Sequence, residues 1–265
     1  MTRSRHQQAL TYASYLCLDE LLAAQRPRSD EHDEVLFIVI HQVYELWFKQ
    51  LLHELRALQR RFEHGDGPHE LHTLRRVRAI LKTIVAQIDV LETMTPREFA
   101  GFRSRLESAS GFQSAQFREL EAVLGRRDPD VLLRYPRGSA GYARIAAALE
   151  KPSVVDSFLR YLAARGYPVP ATALERDIAT PLEPSEAVQD VLLAVYRDEA
   201  EPAQVSESLV DVDEGLQEWR YRHVKMVERT IGDKPGTGGS PGAAYLRRTL
   251  FQPVFPDLWA IRNRI

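Results

Sequence analysis

The sequence predicts an all-α fold, a helical bundle of helix packed on helix. Three observations carry that prediction. Apolar residues recur at steps of three and four through several long stretches. No stretch of useful length alternates apolar with polar residues, as a half-buried strand would. Most Pro and Gly residues gather between the periodic stretches instead of inside them.

The first periodic stretch is Leu10 to Gln25, with Tyr12, Tyr15, Leu18 and Leu22 on one face, and it reads as one helix closed by Pro27. Ser29 and Asp30 then offer N-cap side chains for a second helix, His32 to Phe62. Its first half, Val35 to Leu52, is apolar on nearly every face, the pattern of a helix buried in the middle of a bundle. Its second half is amphipathic and ends at the turn His64-Gly65-Asp66-Gly67-Pro68. A third helix spans Leu71 to Met94, with Leu74, Val77, Leu81, Ile84, Ile88 and Leu91 along one stripe. Phe99 to Leu106 reads as a short helix or turn, Ser110-Gly111 breaks the pattern, and Phe112 to Leu124 is helical again.

Residues 125–185 are rich in Pro, Gly and Arg, with helical patches at Ala143–Leu149 and Val154–Ala163 and a connector near 164–184. Val188 to Tyr196 is helical. The last long helix, Val205 to Ile231, carries an inward seam of Leu209, Val212, Leu216, Trp219, His223, Met226 and Thr230. Gly232 is its expected stop. The loop Lys234 to Gly242 follows, with four glycines and two prolines. No repeat or composition break divides the chain, so residues 1–265 are expected to form a single domain.

The bulk numbers exclude several partners. Among 265 residues, 44 % are hydrophobic and 27 % charged, ordinary for a soluble globular protein. The formal net charge of −2 argues against nucleic acid or an anionic membrane surface. The longest apolar run, Val35 to Ile40, stops at His41, so no membrane span is expected. The single cysteine, Cys17, allows no intrachain disulfide. With a polar, basic Met1–Gln8 in place of a secretory leader, the expected location is the cytoplasm.

Two histidines lie inside strongly apolar helices. His223 sits on the inward seam of the last long helix, where a neutral imidazole suits axial coordination of haem iron. The alternative is a core histidine bonded to a backbone carbonyl. His41 shares a helical stripe with Phe37, Tyr44 and Phe48, which could wall a flat aromatic pocket around one polar group, or could simply be core. Arg103, among small and aromatic residues, can clamp a carboxylate bidentately; a surface arginine is the plain alternative, and it is the reading given to Arg105. The glycine loop Gly236-Thr237-Gly238-Gly239-Ser240 lacks the Gly-Lys-Ser/Thr of a phosphate loop and a preceding strand, so it suits a lid better. His64, His69 and His72 flank a Gly/Pro turn and read as a solvated loop before a metal site.

Taken together these segments resemble the tryptophan 2,3-dioxygenase family. The resemblance rests on Leu10-Thr11-Tyr12-Ala13-Ser14-Tyr15-Leu16, on Asp19-Glu20-Leu21-Leu22, on His32-Asp33-Glu34, and above all on Phe37-Ile38-Val39-Ile40-His41-Gln42-Val43-Tyr44-Glu45-Leu46-Trp47-Phe48-Lys49-Gln50. It continues through Leu91-Glu92-Thr93-Met94-Thr95, Phe102-Arg103, Ser110-Gly111-Phe112-Gln113-Ser114, Trp219-Arg220-Tyr221-Arg222-His223 and the glycine loop. The resemblance implies a homotetramer with a buried haem b, ferrous when active, that uses O2 to open the indole ring of L-tryptophan, or a close derivative, to N-formylkynurenine.

By the same resemblance, His223 is the axial iron ligand and His41 hydrogen-bonds the indole N–H. Phe37, Phe99 and Leu106 line the indole pocket, and Ser110 and Gly111 lie beside the substrate. Arg103 grips the substrate carboxylate, and Thr237 reaches its ammonium and carboxylate. Tyr12, Tyr15 and Leu16 belong to an N-terminal segment, residues 1–30, that a neighbouring subunit brings near the site. Pro241 stands where the family usually has a second serine, which is expected to stiffen the lid. Two alternatives stay open. A related haem monooxygenase would insert one oxygen atom and need an external reductant. A non-catalytic haem sensor would have no use for a clamp such as Arg103 and Thr237.

Overall fold

The longest helix sets the frame, and its start is fastened from inside. In the computed structural model, which describes residues 9–64, 69–239 and 242–265, the Glu34 carboxylate accepts hydrogen bonds from the backbone N–H of Arg28 (2.8 Å) and Ser29 (2.7 Å) and from Ser29 Oγ (2.6 Å). The entry turn is therefore tied back by Glu34, and Ser29 is a donor to that carboxylate.

Two short helices precede this turn, α1 (Tyr12–Leu16) and α2 (Leu18–Leu22), and α3 follows it at His32–His64. Next come α4 (His69–Leu91), α5 (Pro96–Arg103), α6 (Ala115–Leu124), α7 (Ala140–Leu149), α8 (Val154–Ala164), α9 (Ala171–Leu174) and α10 (Glu186–Arg197). The chain ends with α11 (Glu201–Ile231), α12 (Ala243–Arg247) and α13 (Pro256–Ala260). No strand occurs among the described residues.

Three long helices, α3, α4 and α11, form the centre, with α4 packed between the other two. On its other side α3 meets α6 and α8, α7 lies on α6, and α10 and α13 close the far end. Leu51, Leu55 and Leu58 of α3, Leu74, Ile84 and Ile88 of α4, and Leu209 and Leu216 of α11 belong to one continuous apolar core. Gly215 lets α11 come close to α4, because a Cβ there would lie 3.3 Å from Leu81. Leu58 has no exposed surface, so Leu58→Ala should cost about 2–5 kcal/mol through lost burial and the cavity left behind. Chemical denaturation measures this, and a loss below roughly 1 kcal/mol would contradict the packing.

The structure corrects three expectations. Leu10–Gln25 is not one helix: Cys17 adopts a left-handed conformation (φ 51) between α1 and α2. No residue of α1 or α2 is buried, so nothing in this chain's core supports a continuous helix there. The first half of α3 is not enclosed on all sides, since Val35, Val39 and Leu46 are 44 %, 37 % and 49 % exposed. Periodicity shows which faces are apolar but not whether this chain covers them. And α3 is long and apolar enough by composition to span a membrane, with a mean hydropathy of 1.3 in its most apolar part, although Phe48, Leu51, Leu52 and Leu55 are packed in the core.

The tail after the glycine loop carries two short helices that no periodic pattern announced. It is pinned by Asp213 of α11, whose Oδ2 accepts from the N–H of Val254 (2.9 Å) and Phe255 (3.0 Å) and from Trp259 Nε1 (3.0 Å). The connector after α8 is tied in a similar way, with Arg176 Nε donating to Asp156 at 2.7 Å.

Candidate active site

A cavity opens where α3, α4, α5, α6, α11 and α12 meet the turn after α5 and the glycine loop. From the sequence-predicted residues it collects Phe37, His41, Phe99, Arg103, Leu106, Ser110, Gly111, Thr237 and His223. Tyr12, Tyr15 and Leu16 are not among them; they are 77 %, 70 % and 41 % exposed on the outside of the chain.

Helical spacing delivers His41. It lies four residues after Phe37, and its Nδ1 is 2.7 Å from the Phe37 carbonyl oxygen. A carbonyl only accepts, so Nδ1 carries the hydrogen and Nε2 keeps its lone pair. Nε2 points toward Gly111, where an added Cβ would sit 3.8 Å away. Burial pushes the His41 pKa below its usual value, against the Phe37 carbonyl and Glu45, which pull it up. The ring is therefore a neutral acceptor at pH 7. Phe37 packs on it at 4.1 Å between centroids, with Phe99 and Phe102 at 5.8 and 5.5 Å from Phe37, so an aromatic wall continues from His41 into α5.

His223 comes from the seam of α11, one turn after Trp219. The two rings stack at 5.1 Å with planes 6° apart. Trp219 is held in turn by Phe117 (4.7 Å), Phe48 (6.0 Å) and Tyr44 (6.3 Å). His223 lies deep in the protein, with one side facing the cavity, so most but not all of its surface is covered. Burial, with the neighbouring His41 (when protonated) and the Arg118 guanidinium adding to it, pushes its pKa down to about 4. The unprotonated ring can act as a metal ligand.

The mouth is built from short segments. A Thr95–Glu98 capping box with Pro96 in the first turn starts α5, which ends at Arg103. Arg103 Nη2 donates to the Pro235 carbonyl at 2.6 Å, and Thr237 Oγ1 donates to the Ala109 carbonyl at 2.6 Å. Gly238 lies flat on the same turn, where a Cβ would come within 2.7 Å of Ser110 Cβ. The glycine loop thus rests against the segment that carries Arg103 and Ser110. Ser240 and Pro241, the latter expected to stiffen this loop, lie outside the described residues.

Arg105 is exposed. His64 bonds the Arg60 carbonyl through Nδ1 (2.7 Å), and His72 Nε2 meets Arg76 at 3.2 Å. Among the described residues no three His, Cys, Asp or Glu side chains are grouped to hold a bare metal ion.

Sequence reasoning missed the cavity's charged end, formed by Arg118 and Glu121 of α6 and Arg220 of α11. One signal was available. Arg118 and Glu121 are a helical i, i+3 pair inside α6, where every residue from Phe117 to Leu124 is buried. Charged groups rarely enter such a run unpaired.

The site defines a class by its frame: an all-helical protein that brings two imidazoles from different helices into one largely apolar cavity, with an arginine and a threonine at its mouth. A sequence model described as Tryptophan 2,3-dioxygenase matches residues 2–138 and 186–265, and the chain belongs to that family. A relative named tryptophan 2,3-dioxygenase from Anaeromyxobacter dehalogenans (strain 2CP-C) is 68 % identical over 99 % of this chain and 98 % of its own length. Relatives of the same name from Herpetosiphon aurantiacus and Caulobacter vibrioides are 57 % and 45 % identical, over 96 % and 97 % of this chain and 98 % and 99 % of theirs.

Proposed function

We propose that the protein is a haem-dependent dioxygenase that opens the indole ring of L-tryptophan with O2 to give N-formylkynurenine. The observation that supports this most is the pair of neutral imidazoles, His41 and His223, sharing one apolar cavity.

The residues fit haem b. One neutral nitrogen donor, His223, stands in a cavity lined by Phe48, Phe117, Trp219, Met226 and Leu246. Among the described residues no carboxylate or thiolate set accompanies it, so a metal held there must bring most of its own ligands, as a porphyrin does. Bound ferrous haem supplies the O2 chemistry that no side chain supplies.

The remaining work falls to the chain. Phe37, Phe99 and Leu106 offer an apolar slot for the indole ring, with Ser110 and Gly111 beside it. His41 Nε2 accepts the indole N–H and fixes the ring's orientation. Indole N–H is a very weak acid, so His41 polarises this proton without removing it. Arg103 pairs with the substrate carboxylate, and Thr237 adds a contact to its ammonium and carboxylate. The loop over the mouth excludes water from the reacting centre.

Arg103→Ala should lower kcat/KM for tryptophan by about 10- to 150-fold, the loss of a charge-assisted pair of roughly 1.5–3 kcal/mol. Steady-state kinetics measures this, and unchanged kinetics would remove Arg103 from the clamp. The active form is a cytoplasmic homotetramer in this reading. The exposed Tyr12, Tyr15 and Leu16 reach a neighbour's site, and the bare apolar face of α3 supports such an assembly.

The decisive test is anaerobic reduction of the haem-loaded protein, addition of L-tryptophan, then one pulse of O2 and mass analysis. A gain of two oxygen atoms with no further reductant is expected. A gain of one, dependent on added reductant, would replace the dioxygenase with a monooxygenase.

A further inference from the structure

Glu121 is surrounded by three guanidinium groups. Arg118 Nη1, Arg220 Nη2 and Arg126 Nη1 lie 2.6, 2.9 and 3.2 Å from its oxygens. Arg126 is 28 % exposed and shares its charge with solvent, whereas Arg118 and Arg220 are only 8 % and 3 % exposed. One carboxylate facing two buried guanidiniums leaves a positive charge over. The nearby Asp213 does not neutralise it by pairing, because its Oδ2 is taken by Val254, Phe255 and Trp259. An uncompensated buried charge is costly and calls for an anion.

The surplus has a location. Arg220 spends Nη1 on the Gln252 carbonyl (3.0 Å) and Nη2 on Glu121, and only its Nε is buried without a partner. Arg118 hydrogen-bonds through Nη1 alone among the described residues, and its Nε is buried without a partner. Arg118 also borders the main cavity and a smaller pocket beyond it, which Arg126, Arg134 and Tyr245 share. Its guanidinium lies 5.3 and 5.7 Å from the rings of Phe117 and Phe112, which hold its plane against the cavity wall.

We propose that Arg118 is a carboxylate anchor for the edge of the haem, taking a propionate side chain with the guanidinium donors that Glu121 leaves free. The proposal rests on the haem reading above. The free donor and the charge surplus lie on α6, next to Phe117, which packs on the Trp219 that stacks with His223. Arg103 and Thr237, the groups assigned to the substrate carboxylate, come from other segments, the end of α5 and the glycine loop, and bond the Pro235 and Ala109 carbonyls. A porphyrin centred on His223 brings carboxylates on its rim, and this wall offers the buried positive charge to meet one.

The test compares ferric protohaem with its dimethyl ester, which keeps the iron and the macrocycle but has no carboxylate charge. Binding to the full-length apoprotein is followed by Soret absorption, for the wild type and for Arg118→Gln and Arg118→Lys. The wild type should bind the diacid at least about tenfold more tightly than the ester, the scale of one charge-assisted pair. Arg118→Gln should collapse that ratio toward one, and Arg118→Lys should restore part of it. Equal affinity of the wild type for the two haems overturns the proposal without needing any variant. A ratio that survives in a folded Arg118→Gln protein overturns it too, as does a variant that binds haem normally but has a raised KM for tryptophan. Failure of the wild type to bind haem at all sinks the haem reading and this anchor together, whereas equal affinities sink the anchor alone.

Discussion

His223→Ala yields a folded protein that no longer holds haem tightly. Among the described residues that line the cavity, only His41 and His223 carry an imidazole, and His41 already directs Nδ1 to the Phe37 carbonyl and Nε2 to the neighbourhood of Gly111. Loss of His223 therefore leaves no nitrogen donor on the α11 side. The fold should survive, because the side chain packs on Trp219 and faces a cavity, and it supports no other hydrogen bond among the described residues. The purified variant should show little Soret absorbance per chain and no turnover. Added free imidazole should recover part of the absorbance by filling the vacated site, which separates loss of a ligand from loss of the fold. A variant with a normal haem complement would falsify the ligand assignment.

Glu121→Ala should be the most damaging single change to stability outside the apolar core. It leaves Arg118 and Arg220 facing each other in the interior with no anion between them, and breaking a buried pair in this way costs about 3–5 kcal/mol. Denaturant unfolding of the apoprotein would measure it; a loss below roughly 1 kcal/mol would show that the guanidiniums find other partners or water. The same cluster predicts an acid sensitivity. Burial alone would raise the Glu121 pKa, but Arg118, Arg220 and Arg126 outweigh it and hold the carboxyl below its ordinary 4.5. A carboxyl with a depressed folded pKa contributes its full stabilisation above the unfolded value. That contribution falls away as the pH drops from about 4.5 through the lower folded value.

The three long helices and both imidazoles were legible because helical period is a local signal. The boundaries of α3, α4 and α11 fall within a few residues of the periodic stretches, and the seams that carried His41 and His223 turn them into one cavity. Arg103 stood out locally among small and aromatic residues, with a surface arginine as the open alternative, whereas Ser110 and Thr237 were readable only through family resemblance; all three line the cavity. What stayed hidden depends on distance along the chain. Glu121 meets Arg220 from 99 positions away, and Asp213 holds backbone N–H groups 41 and 42 positions later. No periodicity encodes such pairings. The break at Cys17 was hidden for another reason. Its flanks look like helix, and only the missing support of a core decides that they are two short pieces.

The entrance can be described as an equilibrium. Two hydrogen bonds among the described residues, Arg103 to Pro235 and Thr237 to Ala109, join the glycine loop to the wall it rests on. Each contributes about 0.5–1.5 kcal/mol net in a solvent-exposed setting, so separating the loop from the wall costs on the order of 1–3 kcal/mol. At that cost the open form makes up between roughly one molecule in six and one in 160 at rest. Lid openings of this kind take microseconds to milliseconds or longer. A ligand arriving at the mouth would then select an open form that is already populated before it binds.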